Sequence, residues 1–443
     1  MKEATWFGQP RGLTILFLTN MWEQFSYYGM RALLVYYMTK QLLISQQHSS
    51  FIYGAYVGTA YFMPIIGGAI ADRCLGKRRS IILGSSLMAA GHFMMAFNAL
   101  FYVALGTIAL GNGFFLPTLP SQVGDLYDRS DERRGWAFNV YYVGINVGGF
   151  LAPLVCGTLG ELYGWHYGFA AAGFGMLAGL IIYLAGGRYL PAEEEVVKPP
   201  PNQAQGQNDP RIYWLLGTIA IAVTIFRGAY EQLGNTIPLW ADSGIDRHVG
   251  TLRIPMTWFQ SLNPLLVIAM TPLLLANWKR AARQGRHPAA TTRMATGALI
   301  LALAYAVAAL ASYLAGDGPA SWLWLLLFFV VITLGELYIL PTGLGLFAHL
   351  APPRLGATTV ASWYLLIFTG SLFAGFIGSL WSVLSRPAYF LLLAGLGIIS
   401  AAILRSLEEF CRKVDDRHQV VVDSAPYATP EGMIELAPAE SAR

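Results

Sequence analysis

The sequence predicts an all-α integral membrane protein of twelve transmembrane helices in two six-helix bundles. Three observations predict it: scarce charge, recurring long apolar runs, and a one-sided distribution of basic residues. Of 443 residues, 55% are hydrophobic and only 12% charged, where a soluble domain carries about 25% charged residues. A helix that crosses a bilayer needs roughly 20 mostly apolar residues. On that rule the spans fall at 13–39, 50–71, 79–98, 101–123, 136–160, 167–188, 212–238, 255–277, 292–315, 321–348, 357–383 and 387–405. Span 1 carries Glu23, Gln24 and Arg31 with no small-residue cleavage site after it, so it is not a removable signal. The composition excludes a soluble enzyme, a nucleic-acid binder and a disulfide-built secreted domain. Cys74, Cys156 and Cys411 are scattered and too few for a metal cluster.

Orientation follows from the basic residues. With both termini cytoplasmic, the inside segments hold 23 of the 29 Lys and Arg, and the outside loops hold four: Lys40, Arg247, Arg253 and Arg386. The other two, Arg31 and Arg227, lie within spans. A missed span would swap the side of every later loop, so this split supports the count. The protein is expected in the cell (inner or plasma) membrane. Four segments are expected: an N-terminal bundle over 1–189, a cytoplasmic linker over 190–211, a C-terminal bundle over 212–405 and a mobile polar tail over 406–443. The linker is acidic, then Pro-rich, then rich in Gln and Asn.

Two internal matches relate the halves. Leu119-Pro120-Ser121 precedes Gly135 by the same spacing as Leu340-Pro341-Thr342 precedes Gly356, and Trp22-Glu23-Gln24-Phe25 parallels Tyr230-Glu231-Gln232-Leu233. Parallel repeats related about the membrane normal are the arrangement of major facilitator transporters, with a solute site near the midplane.

Several segments then resemble the proton-dependent oligopeptide transporters of that superfamily. They are 22–34 (WEQFSYYGMRALL), 67–79 (GGAIADRCLGKRR), 111–127 (GNGFFLPTLPSQVGDLY), 138–153 (FNVYYVGINVGGFLAP) and 230–239 (YEQLGNTIPL). The second half adds 260–264 (QSLNP), 335–353 (GELYILPTGLGLFAHLAPP) and 361–365 (ASWYL). There are departures. The family usually opens with Glu-x-x-Glu-Arg, and this chain reads Asn20-Met21-Trp22-Glu23-Gln24. Leu116 stands where a lysine is usual, and Arg227 where an aromatic is common. The linker is too short for the two extra helices that bacterial members often insert.

Five ionisable residues stand deep in predicted spans: Glu23, Arg31, Arg227, Glu231 and Glu336. Each costs about 2.5–3.5 kcal/mol to insert at a bilayer centre, so each must face a cavity or a partner. Steps of three and four align Asn20, Glu23 or Gln24, Tyr27 and Arg31 on one face of span 1. The resemblance implies that this face lines the cavity. It puts Arg31 near a peptide carboxylate and able to pair with Glu231, and Glu336 near the peptide amino group. It also implies that Tyr27, Tyr28, Tyr61 and Trp363 line the pocket, and that Asn146 and Asn263 hold peptide backbone. Against this, aromatics in spans often pack or anchor, and an isolated Asn often joins helices. Arg227 and Glu231, four apart, form either a private structural pair or a pair that frees a guanidinium for an anionic substrate group. Fewer cations around Glu23 and Glu336 than the family usually has would favour their neutral forms and suit them, with Glu231, as proton carriers. Asp72 and Arg73, in a cytoplasmic turn, read as a conformational latch.

The expected function is import of di- or tripeptides, or peptide-like solutes, by proton symport with alternating access. The expected partners are the peptide, protons and the bilayer, with the chain acting as a monomer, without nucleic acid, and with no cofactor or metal. No phosphate loop is present, so ATP does not drive the cycle, and no covalent chemistry is required of an enzyme. Two alternatives remain open here. One is a proton-independent facilitator or exporter of another amphiphilic solute; the other is a transporter-like ligand sensor.

Overall fold

A computed structural model describes residues 5–6, 8–128, 131, 133–191, 210–286, 288–350 and 356–413. Most of the predicted linker and the tail beyond 413 lie outside the described residues. Among the described residues the main α-helices are α1 (Arg11–Lys40), α2 (Gln46–Ile70), α3 (Lys77–Met94), α4 (Phe101–Asp125), α5 (Arg133–Ala152), α6 (Trp165–Ala185), α7 (Pro210–Tyr230), α8 (Thr236–Ser243), α9 (Leu262–Arg283), α10 (Ala290–Ala315), α11 (Trp322–His349), α12 (Gly356–Ser379) and α13 (Arg386–Ser406). Beside them, among the described residues, stand short 3-10 and π-helical turns and two-residue extended pairs, such as Thr5–Trp6 with Gln9–Pro10.

These helices account for twelve segments at the predicted positions, because α7 and α8 form one interrupted span. Ten are long and apolar enough to cross a membrane. The other two, α1 and α3, are diluted by polar residues: Asn20, Glu23, Gln24 and Arg31 in the first, and Lys77, Arg78, Arg79 and His92 in the second. The helix ends follow local chemistry. Ser45 caps α2 by accepting the His48 N–H. Gly76 turns the chain into α3 at φ 78°, a conformation that glycine adopts without strain. Prolines inside α2, α4, α9 and α11 are tolerated because neighbouring helices compensate for their missing donors.

Packing sorts the helices by chain half. α1 packs on α5 and α6, α4 on α2 and α3, α10 on α11 and α13, and α7 on α12 and α13. The halves meet mainly where α2 lies on α12 and α5 on α9. At the first seam, backbone touches backbone: a Cβ on Gly54 would lie 2.7 Å from Gly375 Cα and 2.6 Å from Ser371 O.

The fold continues past residue 406, where the sequence suggested a loose tail. Residues 408–413 are helical, Leu407 and Cys411 are buried, and Phe410 meets Trp214 edge-on at 5.1 Å. Three apolar residues in five positions are too short a pattern to register as a helix, yet they suffice to dock on α7.

Candidate functional site

The middle of the molecule is built around a carboxylate at a break in a helix. α7 ends at Tyr230, residues Glu231–Leu233 form a tight turn, and α8 resumes at Thr236. The Gln232 amide holds the break closed, donating to Gly228 O at 3.0 Å and Ala374 O at 2.9 Å. Interrupted helices are common at transporter sites because the break exposes polar groups at membrane depth.

Glu231 is 1% exposed, and three groups hold its side chain. Arg31 Nη2, from the other half, lies 2.5 Å from Oε2. The Tyr53 hydroxyl reaches the same oxygen at 3.3 Å while accepting Arg31 Nε at 2.8 Å. Arg227 Nη2, one turn earlier on α7, donates to Oε1. Arg31 Cζ also lies 5.9 Å from the Tyr28 ring and 5.7 Å from the Tyr53 ring, and Arg227 Cζ lies 5.3 Å from the Tyr230 ring. The pairing of Arg227 with Glu231 is therefore not private, since Arg31 shares the same carboxylate.

Across from this cluster, Asn263 Nδ2 donates to Glu336 Oε2 at 2.7 Å and Thr333 Oγ1 at 3.1 Å. Tyr28, Tyr230 and Tyr142 stand within electrostatic reach of Glu336. Tyr28 thus bridges the space between Arg31 and Glu336. Arg31, Tyr28, Tyr61, Asn263 and Glu336 are each only partly buried, whereas Tyr27 is fully buried. The arrangement can hold a solute with one negative and one positive end, because a cation on one half faces an anion on the other.

Other predicted site residues have different surroundings. Asn146 donates back to Tyr142 O, one turn earlier, at 3.0 Å. Trp363 is buried edge-on against Phe347 at 5.3 Å and covers Gly343, two turns along α11 from Glu336. Glu23 is 1% exposed and accepts from Gln24 Nε2 at 2.7 Å. The Asn20 amide donates to Tyr141 O on α5 at 3.2 Å, so the polar stripe of α1 is partly spent on helix packing. Asp72 and Arg73 are exposed in the turn Ala71–Leu75; the ion pair formed nearby is Lys77 with Asp125, at 2.5 Å. Sequence reasoning missed Tyr53, which nothing in the pattern distinguishes among 23 tyrosines, and gave no role to Tyr142 and Tyr230, although both lie in the segments that carry the resemblance.

The ends of the helices remote from the termini are tied together. Ser50 Oγ donates to Asn235 Oδ1 at 2.9 Å and Gln46 Nε2 to Gly378 O at 2.8 Å. Asp242 meets Tyr36 at 3.1 Å, Lys40 at 3.3 Å and Arg247 at 3.0 Å. Glu161 caps the turn Met256–Ser261 through the Met256 and Thr257 N–H groups. These contacts, with the Gln260 amide donating to Ala32 O at 3.1 Å, join the two halves between mid-membrane and this remote end.

A bundle of this form, closed at one end around opposed charges, defines a membrane transporter. The comparisons with known proteins agree. The POT family profile (PTR2) matches residues 78–205 and 192–392. The chain is 32% identical to the peptide transporter YePEPT of Yersinia enterocolitica, covering 84% of this chain and 88% of that one. It is 31% identical to a di-/tripeptide transporter of Lactococcus lactis, covering 91% and 96%. A crystal structure of a peptide transporter POT in complex with sulfate superposes with a TM-score of 0.87 at 28% identity, over 93% of this chain and 97% of that one. The chain belongs to the POT family: it is a multi-pass membrane transporter with the major facilitator fold, and not an enzyme.

Proposed function

We propose that the protein imports di- and tripeptides, or peptide-like solutes, across the cell membrane by proton symport with alternating access. The observation that carries this reading is the Arg31–Glu231 contact across the halves at 2.5 Å, with Glu336 opposite. The peptide carboxylate competes for the fork of Arg31, the amino group takes Glu336, and Asn263 and Tyr28 complete the cradle. Tyr27, Tyr61, Asn146 and Trp363 complete the wall. A ligand that contacts both halves shifts the equilibrium between their arrangements, because it binds the closed arrangement better. Similarity to di-/tripeptide transporters, and to a mutant peptide transporter POT in complex with alafosfalin, supports the substrate class.

With both termini cytoplasmic, the end tied by Asp242 and Glu161 is extracellular and the chamber faces inward. The halves divide as 1–189 and 212–405, the segment 190–211 links them, and the chain works as a monomer. Asp72 and Arg73, beside the Lys77–Asp125 pair, act as the cytoplasmic latch. Glu23 and Glu336 carry the protons, and the membrane voltage adds about 2.3 kcal/mol per charge per 100 mV to inward movement. The test is uptake of labelled di-alanine into proteoliposomes with and without imposed pH and voltage gradients. Accumulation that collapses with protonophore supports the reading; uptake insensitive to both gradients replaces symport with facilitated diffusion, and no uptake or competition by any dipeptide removes the peptide assignment.

A further inference from the structure

Two guanidiniums share one buried carboxylate in the middle of this molecule. Arg31 holds Oε2 of Glu231 and Arg227 holds Oε1. The two arginines differ in what surrounds them. Arg31 comes from the opposite half, is 12% exposed and lies beside Tyr28 on the side of Glu336. Arg227 lies four residues before Glu231, in the last turn of α7, is 6% exposed, and has its Nε buried with no acceptor. It packs against Gly370 of α12, where any larger residue would collide with it. Arg31 is thus placed to change partners, and Arg227 to stay.

Consider the charges when a zwitterionic peptide binds as proposed above. Its carboxylate takes Arg31 and its amino group takes Glu336. Glu231 loses the Arg31 ion pair but keeps that of Arg227. A buried carboxylate stripped of its one cation is driven to bind a proton, because leaving the charge uncompensated is costly. A carboxylate that retains a guanidinium one turn away is not. Every charge then has a partner without proton transfer at this position: peptide carboxylate with Arg31, peptide ammonium with Glu336, and Glu231 with Arg227.

We propose that Arg227 is a positioning residue that keeps Glu231 ionised while Arg31 is released to the substrate, so that the lock between the halves opens without a proton at Glu231. The charged and titratable groups facing Glu231 are Arg31, Tyr27 and Tyr28 on α1, Tyr53 and Tyr61 on α2, Arg227 on α7, Tyr305 on α10 and Glu336 on α11. Among them only Arg227 is a cation not committed to the substrate. Coupled protons enter elsewhere, at Glu23 or Glu336.

The inference rests on the proposed peptide substrate, and the experiment separates the two. Exchange of labelled di-alanine is measured in proteoliposomes across a pH series for wild type, Arg227→Gln and the double variant Arg227→Gln with Glu231→Gln. Arg227→Gln is expected to add a new acid-favoured limb, losing about tenfold in rate per pH unit above its midpoint, and the double variant to lose that limb. A pH profile of Arg227→Gln parallel to wild type overturns the inference and leaves peptide transport standing. Absence of exchange in wild type overturns peptide transport itself. A second readout needs no Arg227 variant and so survives misfolding of Arg227→Gln. Infrared difference spectra on adding di-alanine are expected to show no protonated-carboxyl band from Glu231. A band that Glu231→Gln removes overturns the proposal.

Discussion

Glu161 Oε1 accepts the backbone N–H of Thr257 at 2.9 Å, and Oε2 accepts that of Met256 at 3.1 Å. A side chain after α5 therefore satisfies the free donors of the turn leading into α9, a carboxylate cap supplied by the other half of the molecule. Arg247 stands 3.7 Å behind it. Glu161→Ala leaves both donors and Arg247 short of a partner at once. The expected cost is about 3 kcal/mol of stability, read as a lower midpoint in a detergent melt, whereas Glu161→Gln, which keeps one acceptor oxygen, loses about half of that. An unchanged midpoint in both variants detaches this cap from the closure of the remote end.

Arg31 makes two directed bonds with one planar group, Nε to Tyr53 and Nη2 to Glu231. Lysine keeps the charge but offers a single point donor. Arg31→Lys is expected to lower kcat/KM for di-alanine by about tenfold, chiefly through KM, since one charged hydrogen bond to the substrate carboxylate is lost. A KM equal to that of wild type separates Arg31 from the substrate.

Glu23 is buried, and its only hydrogen-bonding partner in the described structure is Gln24. Glu23→Gln removes the titration while preserving shape. Gradient-driven accumulation of di-alanine is expected to disappear, and exchange of internal for external substrate to persist. Accumulation at the wild-type level in this variant moves proton coupling to Glu336.

Gly54 has no room for a side chain against Gly375 and Ser371. Gly54→Val pushes α2 off α12 and holds the remote end apart. Uptake is expected to fall below detection. In a background without Cys74, a cysteine replacing Ser50 should then react faster with a membrane-impermeant thiol reagent. Normal uptake by Gly54→Val means that this seam yields without cost.

The helices were legible because each needs a long apolar run, and most predicted spans miss the observed ends by a few residues, with larger misses at the end of α5 and at both ends of α9. The polar residues of α1, α7 and α11 were also legible, since a charge inside an apolar run has few physical excuses. What each touches was not. Periodicity ranks the faces of one helix and says nothing of the neighbour opposite. Tyr53 therefore passed unnoticed, and Asn146, which bonds its own helix, was grouped with Asn263, which reaches Glu336. Glu161, Asp242 and Arg247 lie at helix ends and in loops, where no periodicity exists to read. Asn20 shows the reverse limit: a polar residue on the right face whose bond goes to a backbone carbonyl of α5.

Where α2 meets α12, Gly54 lies backbone to backbone on Gly375, and the contact continues along α2 to Gly58 and Phe62, which meet Phe368. The closest approach, at Gly54, can serve as a fulcrum. From Gly54 to the far tip of α2 the helix runs 16 residues, about 24 Å at 1.5 Å per residue. A tilt of ten degrees about that point therefore moves the opposite tip by about 4 Å. Modest rocking at the pivot is amplified into an aperture change comparable to the width of a peptide backbone, and any bulk added at the pivot is multiplied by the same lever.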